Sequence, residues 1–215
     1  MCGKFTQMAT WAEVVAFSQP LVAIPEGGEV IVSTPMRMAK VLRLGEDGKR
    51  EVVSMRWGYS RPGNTSFKPD HMHARAETID SRPMFMESFA ERRAIVLVET
   101  FNEGEELPNG KTRQWVIRPK DRKPIAIAVI WSEWEGDAGI VPCFIQVTVP
   151  ANDLVSKITD RMPAILQPDD WSAWLGEDDV PLKDVKSLLR TYDDAGNWSM
   201  TEQASPKKKS QMDLF

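Results

Sequence analysis

The chain has 215 residues, of which 42% are hydrophobic and 27% charged, with a net charge of −4 at neutral pH. This is the balance of an ordinary folded domain, which excludes a disordered chain, and no apolar run approaches the roughly 18 residues that span a bilayer. The acidic excess argues against general coating of nucleic acid, because phosphate contact needs positive charge, although a local basic groove stays open.

The start, MCGKFTQMATWAEVV, lacks the basic segment and apolar stretch of a secretory signal. Two cysteines, Cys2 and Cys143, are too few for a disulfide framework, and a reducing cytoplasm is the expected setting. In chain order, Thr10 and Glu13 have capping-box spacing ahead of Val14, Val15 and Phe17, which predicts a helix there. Strand-like runs follow at 29–33, 38–44 and 50–57, the last two joined by GEDGK as a hairpin. Ser81-Arg82-Pro83 opens a second helix over MFMESFAE. Further strands are expected at 94–99, 113–118, 125–131 and 143–149, and short helices at 151–158, 168–175 and 181–190. Many strands without a βαβ rhythm predict an α+β domain: a mainly antiparallel twisted sheet or barrel with flanking short helices. Residues 1–195 make up this domain. Residues 196–215 are polar and lysine-bearing, and their stretch 196–210 reads as a flexible tether.

Cys2 is chemically distinctive if Met1 is removed. A free α-amine has a pKa of about 8 against roughly 10.4 for lysine, so much more of it is unprotonated near neutrality. Such an amine attacks an aldehyde to form a Schiff base, and the thiol of the same residue then closes a thiazolidine ring. The second attack is intramolecular and gains a large effective molarity. From position alone, the alternative is a small residue near a terminus.

Four segments together carry a resemblance: MCGKF at the start, MRWGYSRPGN at 55–64, HARAETIDSRPMFMESFAERRAIV at 73–96, and VTVPANDLVSKITDRMPAIL at 147–166. In order and spacing they resemble the SRAP family, the SOS response-associated peptidases. The resemblance implies an α+β domain with a positive cleft for single-stranded DNA, where Cys2 captures the aldehyde of an abasic site covalently. It maps Glu103 onto a proton-moving carboxylate. It makes Arg75 and Arg161 candidates for phosphate contact, groups Glu77 and Pro163 with them in the matching motifs, and offers Trp57 for stacking on a base or sugar. The plain alternatives are core packing for Trp57 and Met162 and a structural ion pair with Glu77 or a neighbour for Arg75.

The chain departs from the family pattern at two pocket positions. His73 stands where the family has asparagine, and Thr159, followed by Asp160, stands where it has histidine. Asn102 and Gly104 replace the aromatic neighbours of the glutamate. One reading is a domain with weakened chemistry. The sharper one is that the imidazole has moved to His73, which supplies the proton transfer of the missing histidine. A cysteine peptidase acting on other proteins is a further alternative, with no conventional histidine–asparagine pair to support it.

The chain ends Gln211-Met212-Asp213-Leu214-Phe215, similar to the peptide by which bacterial repair proteins dock on the DNA polymerase sliding clamp. Leu214 and Phe215 would fill an apolar pocket while Gln211 fixes orientation. That implies a bacterial or phage-encoded, cytoplasmic and nucleoid-associated protein. Neither metal nor cofactor is expected: two distant cysteines and two histidines at i, i+2 make no zinc set, and no phosphate-cradling glycine loop occurs. Cys143 in VPCFIQV, and Trp171 and Trp174 in DDWSAWL, read as core.

Overall fold

The structure, a computed structural model, describes residues 4–7, 32–60, 69–136 and 139–203. The helix expected from Thr10 and the tail motif Gln211, Leu214 and Phe215 lie outside these residues, as does Cys2.

Within them, β1 (Lys4–Gln7), β2 (Val32–Ser33), β3 (Met38–Leu44) and β4 (Arg50–Trp57) come first, then the short β5 (His73–Arg75). They are followed by β6 (Arg93–Glu106), β7 (Thr112–Pro119), β8 (Ile125–Gly136), β9 (Gly139–Pro150), β10 (Arg161–Pro163), β11 (Ile165–Leu166) and β12 (Trp198–Glu202). Ladders link β8 to β9, β9 to β4, β4 to β3, β3 to β6 and β6 back to β8, so five strands close on themselves. Closure removes the exposed edges that a flat sheet would leave. The expected sheet or barrel is therefore present, and it is mixed: ten ladders run antiparallel, while β4 and β5 pair with β9 in parallel.

The β3–β4 hairpin matches its sequence bounds because GEDGK turns cleanly. Gly48 takes φ +73, and the Gly45 N–H donates to the Lys49 carbonyl at 2.8 Å. Strand β6 runs further than the apolar run 94–99 indicated. Its first half pairs with β3 and β8, and its polar second half, Phe101–Glu106, pairs with β7. Pairing partners, invisible in a local window, keep NEGEE extended.

Helix α1 (Pro83–Glu91) has proline in its first turn and buries Phe85 and Phe89. Helix α2 (Trp171–Leu175) follows a 3₁₀ turn at Pro168–Asp170 and stops at Gly176, φ +90. Trp174 packs against Phe89, and its indole N–H donates to the Ala94 carbonyl at 2.8 Å. Arg93 reaches the C-terminal carbonyls of both helices, Phe89 at 2.8 Å and Trp174 at 2.6 Å. One guanidinium thus satisfies acceptors that each helix end would leave orphaned. Helix α3 (Leu182–Ser187) is the third α-helix among the described residues; the helix expected over 151–158 is only a 3₁₀ turn at Val155–Lys157.

Residues 198–202, read from the sequence as part of a tether, form β12, paired with β7 from Trp198↔Pro119 to Glu202↔Trp115. Trp198 is buried against Phe101 and Tyr192. The isolated tryptophan in a polar stretch had no local partner to announce it. Cys143, Trp171 and Trp174 are buried, as expected.

Candidate active site

Strand β9 organises the site. Residues Phe144, Gln146 and Thr148 share one face by strand alternation. At Thr148, β5 pairs on one edge (Arg75↔Thr148) and β10 on the other (Pro163↔Thr148), so Arg75, Thr148 and Pro163 form one cross-strand row. The next row is His73, Gln146 and Val129. Two motifs about ninety residues apart in the chain, HAR and RMP, are thereby set on either side of a single strand.

Trp57 ends β4 in the fully enclosed interior. Its ring lies 4.9 Å from Phe5 and 6.2 Å from Phe144, and meets the His73 ring edge-on at 6.3 Å. Its indole N–H donates to the Met72 carbonyl at 3.3 Å. Having no exposed surface, Trp57 is a packed wall behind His73, and the base-stacking face expected of it is covered. Pro163 and Met162 are buried likewise. The half-buried His73 and the exposed Arg75 are the parts of β5 that reach solvent.

The ion pair considered for Arg75 and Glu77 goes to another arginine. Arg161 grips Glu77 in a two-pronged contact, Nη1 to Oε1 and Nη2 to Oε2, the latter at 2.8 Å, and also donates to the Thr148 carbonyl at 2.6 Å. These hydrogen bonds from Arg161 hold the Glu77 carboxyl below the usual carboxylate range. Arg75 makes no ion pair among the described residues, which leaves its guanidinium available at the surface.

Glu103 sits on β6 opposite Trp115 of β7 and is completely buried. Burial pushes its carboxyl up to about 7, the positive charge of the chain's amino terminus draws it down, and the charge of Asp160 raises it. A carboxylic acid titrating near neutrality both donates and accepts protons readily at physiological pH. Thr159 is half-buried at the end of the 155–157 turn and Asp160 is exposed. Two polar residues of β9 were not singled out by motif reasoning, Gln146 and Thr148; the available signal was a glutamine and a threonine inside the apolar run CFIQVTV.

The closed mixed ring with short covering helices frames a site in which β9 holds His73 and Arg75 of β5 on one edge and Arg161 of β10 on the other, while the buried acid Glu103 lies on β6. The chain belongs to the SRAP family: residues 1–204 match the family described as SOS response associated peptidase. It is 27% identical over 198 residues to Abasic site processing protein YoqW of Bacillus subtilis, covering 90% of this chain and 88% of that one. It is 29% identical over 182 residues to Abasic site processing protein YedK of Escherichia coli, covering 83% of this chain and 81% of that one. A solved structure from Bordetella bronchiseptica superposes with a TM-score of 0.77 at 20% identity, over 95% of this chain and all of that one, and so shares the fold.

Proposed function

We infer that this protein processes abasic sites in single-stranded DNA by crosslinking them to Cys2 once Met1 is removed. The names of its relatives point to abasic sites, and the observation that carries the chemistry is the buried Glu103, raised to about 7. In this reading the α-amine of Cys2 adds to the C1′ aldehyde of the opened deoxyribose. Protonated Glu103 delivers its proton to the departing hydroxyl, which leaves as water and gives the imine. The thiol then adds to the imine carbon, its proton passes to the nitrogen, and a thiazolidine results. One C–N and one C–S bond form, and one water is lost. His73 carries the proton that the family's histidine carries elsewhere, since Thr159 has no ionisable group at neutral pH. Exposed Arg75 contacts a phosphate, and Arg161 adds its charge while holding Glu77 and Thr148 in place.

The second reading, a DNA-holding module with weakened chemistry, is favoured by one observation, the threonine at 159. The tail would serve either protein. Gln211, Leu214 and Phe215 dock on the sliding clamp and deliver the folded domain to replication forks, where single-stranded abasic sites arise.

The test uses the purified protein and an oligonucleotide with one abasic site, read by denaturing gel and intact mass, with Cys2→Ala and His73→Ala beside it. A shifted band of the mass of adduct with a chain lacking Met1, absent from Cys2→Ala and slowed in His73→Ala, supports the crosslink. No adduct from protein that begins at Cys2 leaves the binding module.

A further inference from the structure

Gln146 stands in the middle of β9 with its side chain fully buried, and neither its Oε1 nor its Nε2 has a hydrogen-bond partner. An unpaired buried carboxamide costs about 1–3 kcal/mol. An apolar side chain in the same place would spare that cost, so the residue is held there against the interest of stability. Its neighbours show what it could serve. Parallel pairing sets His73 beside it on one edge of β9, and antiparallel pairing sets Val129 on the other. Paired residues present their side chains to the same face on strands about 5 Å apart. Two residues away on that face lie Phe144, against Trp57, and Thr148, whose hydroxyl is within 3.4 Å of an Arg161 nitrogen. In its own row, Gln146 therefore has one apolar neighbour and one polar neighbour, and the polar one is His73.

We propose that Gln146, unpaired in this structure, is a positioning residue for His73: during the reaction its carboxamide turns to meet the neighbouring imidazole as that ring gains and loses its proton. This rests on the reading of His73 as the proton carrier. A carboxamide offers an acceptor on one side and a donor on the other and turns about its last torsion. Oε1 accepts from a protonated ring nitrogen, and Nε2 donates to a bare one. Glutamate in that dry position would resist ionising, and methionine would offer no strong hydrogen bond in either state. Glutamine suits a ring that gains and loses a proton within one turnover.

The near-isosteric Gln146→Met tests this by separating stability from chemistry. Its Tm should equal or exceed that of the wild type, since an unpaired buried amide is gone. Single-turnover crosslinking should slow about tenfold, the lower end of what a hydrogen bond to a charged group is worth. In a His73→Asn background the same substitution should leave the rate unmoved. The chain has two histidines, told apart with His71→Gln, so the ¹⁵N shifts of the His73 ring can be followed directly. They should move in Gln146→Met. Unchanged rate and ring shifts, a slowing that persists in His73→Asn, or a slowing matched by a lower Tm would each overturn the proposal. If the wild type forms no adduct at all, the crosslinking reading fails separately. The ring shifts then decide alone: movement upholds the contact between Gln146 and His73, and stasis refutes it.

Discussion

Glu103 shows how burial makes the state of one residue depend on pH. Burial lifts its carboxyl from the ordinary 4.5 to about 7, so the folded state holds this proton more tightly than the unfolded chain does. The stabilisation from that proton is complete below about 4.5 and is lost as pH rises through 7. Above that, a charged carboxylate in a dry site opposes folding. Glu103→Gln removes the titration. The variant should match the wild type in urea at pH 4.5 and exceed it at pH 8, by about 3 kcal/mol at most. Its crosslinking should fall about a hundredfold, the lower range for loss of a positioned acid. A variant no more stable at pH 8 would show that Glu103 is not held as a raised, buried acid.

Among the elements, the end of β4 depends on a single glycine. Gly58 takes φ +126, and a Cβ built there would lie 2.7 Å from Cγ of Pro69. Its N–H donates to the Phe144 carbonyl at 2.8 Å, tying the turn after Trp57 to β9. Gly58→Ala faces both the backbone cost and the clash, together about 2 kcal/mol or more. A lower Tm with altered near-ultraviolet dichroism of the tryptophans is expected. A full-strength Tm would mean that the turn relaxes freely. Strand β9 bears the matching load on the other side, since among the described strands it is the one that pairs with both β5 and β10.

For the whole molecule, the described fold runs through β12 to Gln203, past the boundary at 195 expected from the sequence. Removing residues 211–215 is predicted to abolish binding to a purified bacterial sliding clamp in surface plasmon resonance, while crosslinking by the remaining chain continues at the wild-type rate. Clamp binding that survives the deletion would place the docking surface on the folded domain.

The sequence by itself determined the hairpin over 38–57, helix α1, the buried character of Cys143, Trp171 and Trp174, and the family. Each rests on a local signal: a turn-forming GEDGK, a proline in a first turn, an apolar period, or a motif of fixed spacing. Only the tertiary structure decided that Trp57 is enclosed, that Glu77 belongs to Arg161, and that Trp198–Glu202 is a strand. It also decided that Gln146 is buried beside His73. The reason is common to all four. Burial, ion-pair choice and strand membership depend on partners 73 to 87 residues away in the chain: Phe144 for Trp57, Arg161 for Glu77, Pro119 for Trp198 and His73 for Gln146. A window of sequence holds no record of which distant strand will arrive.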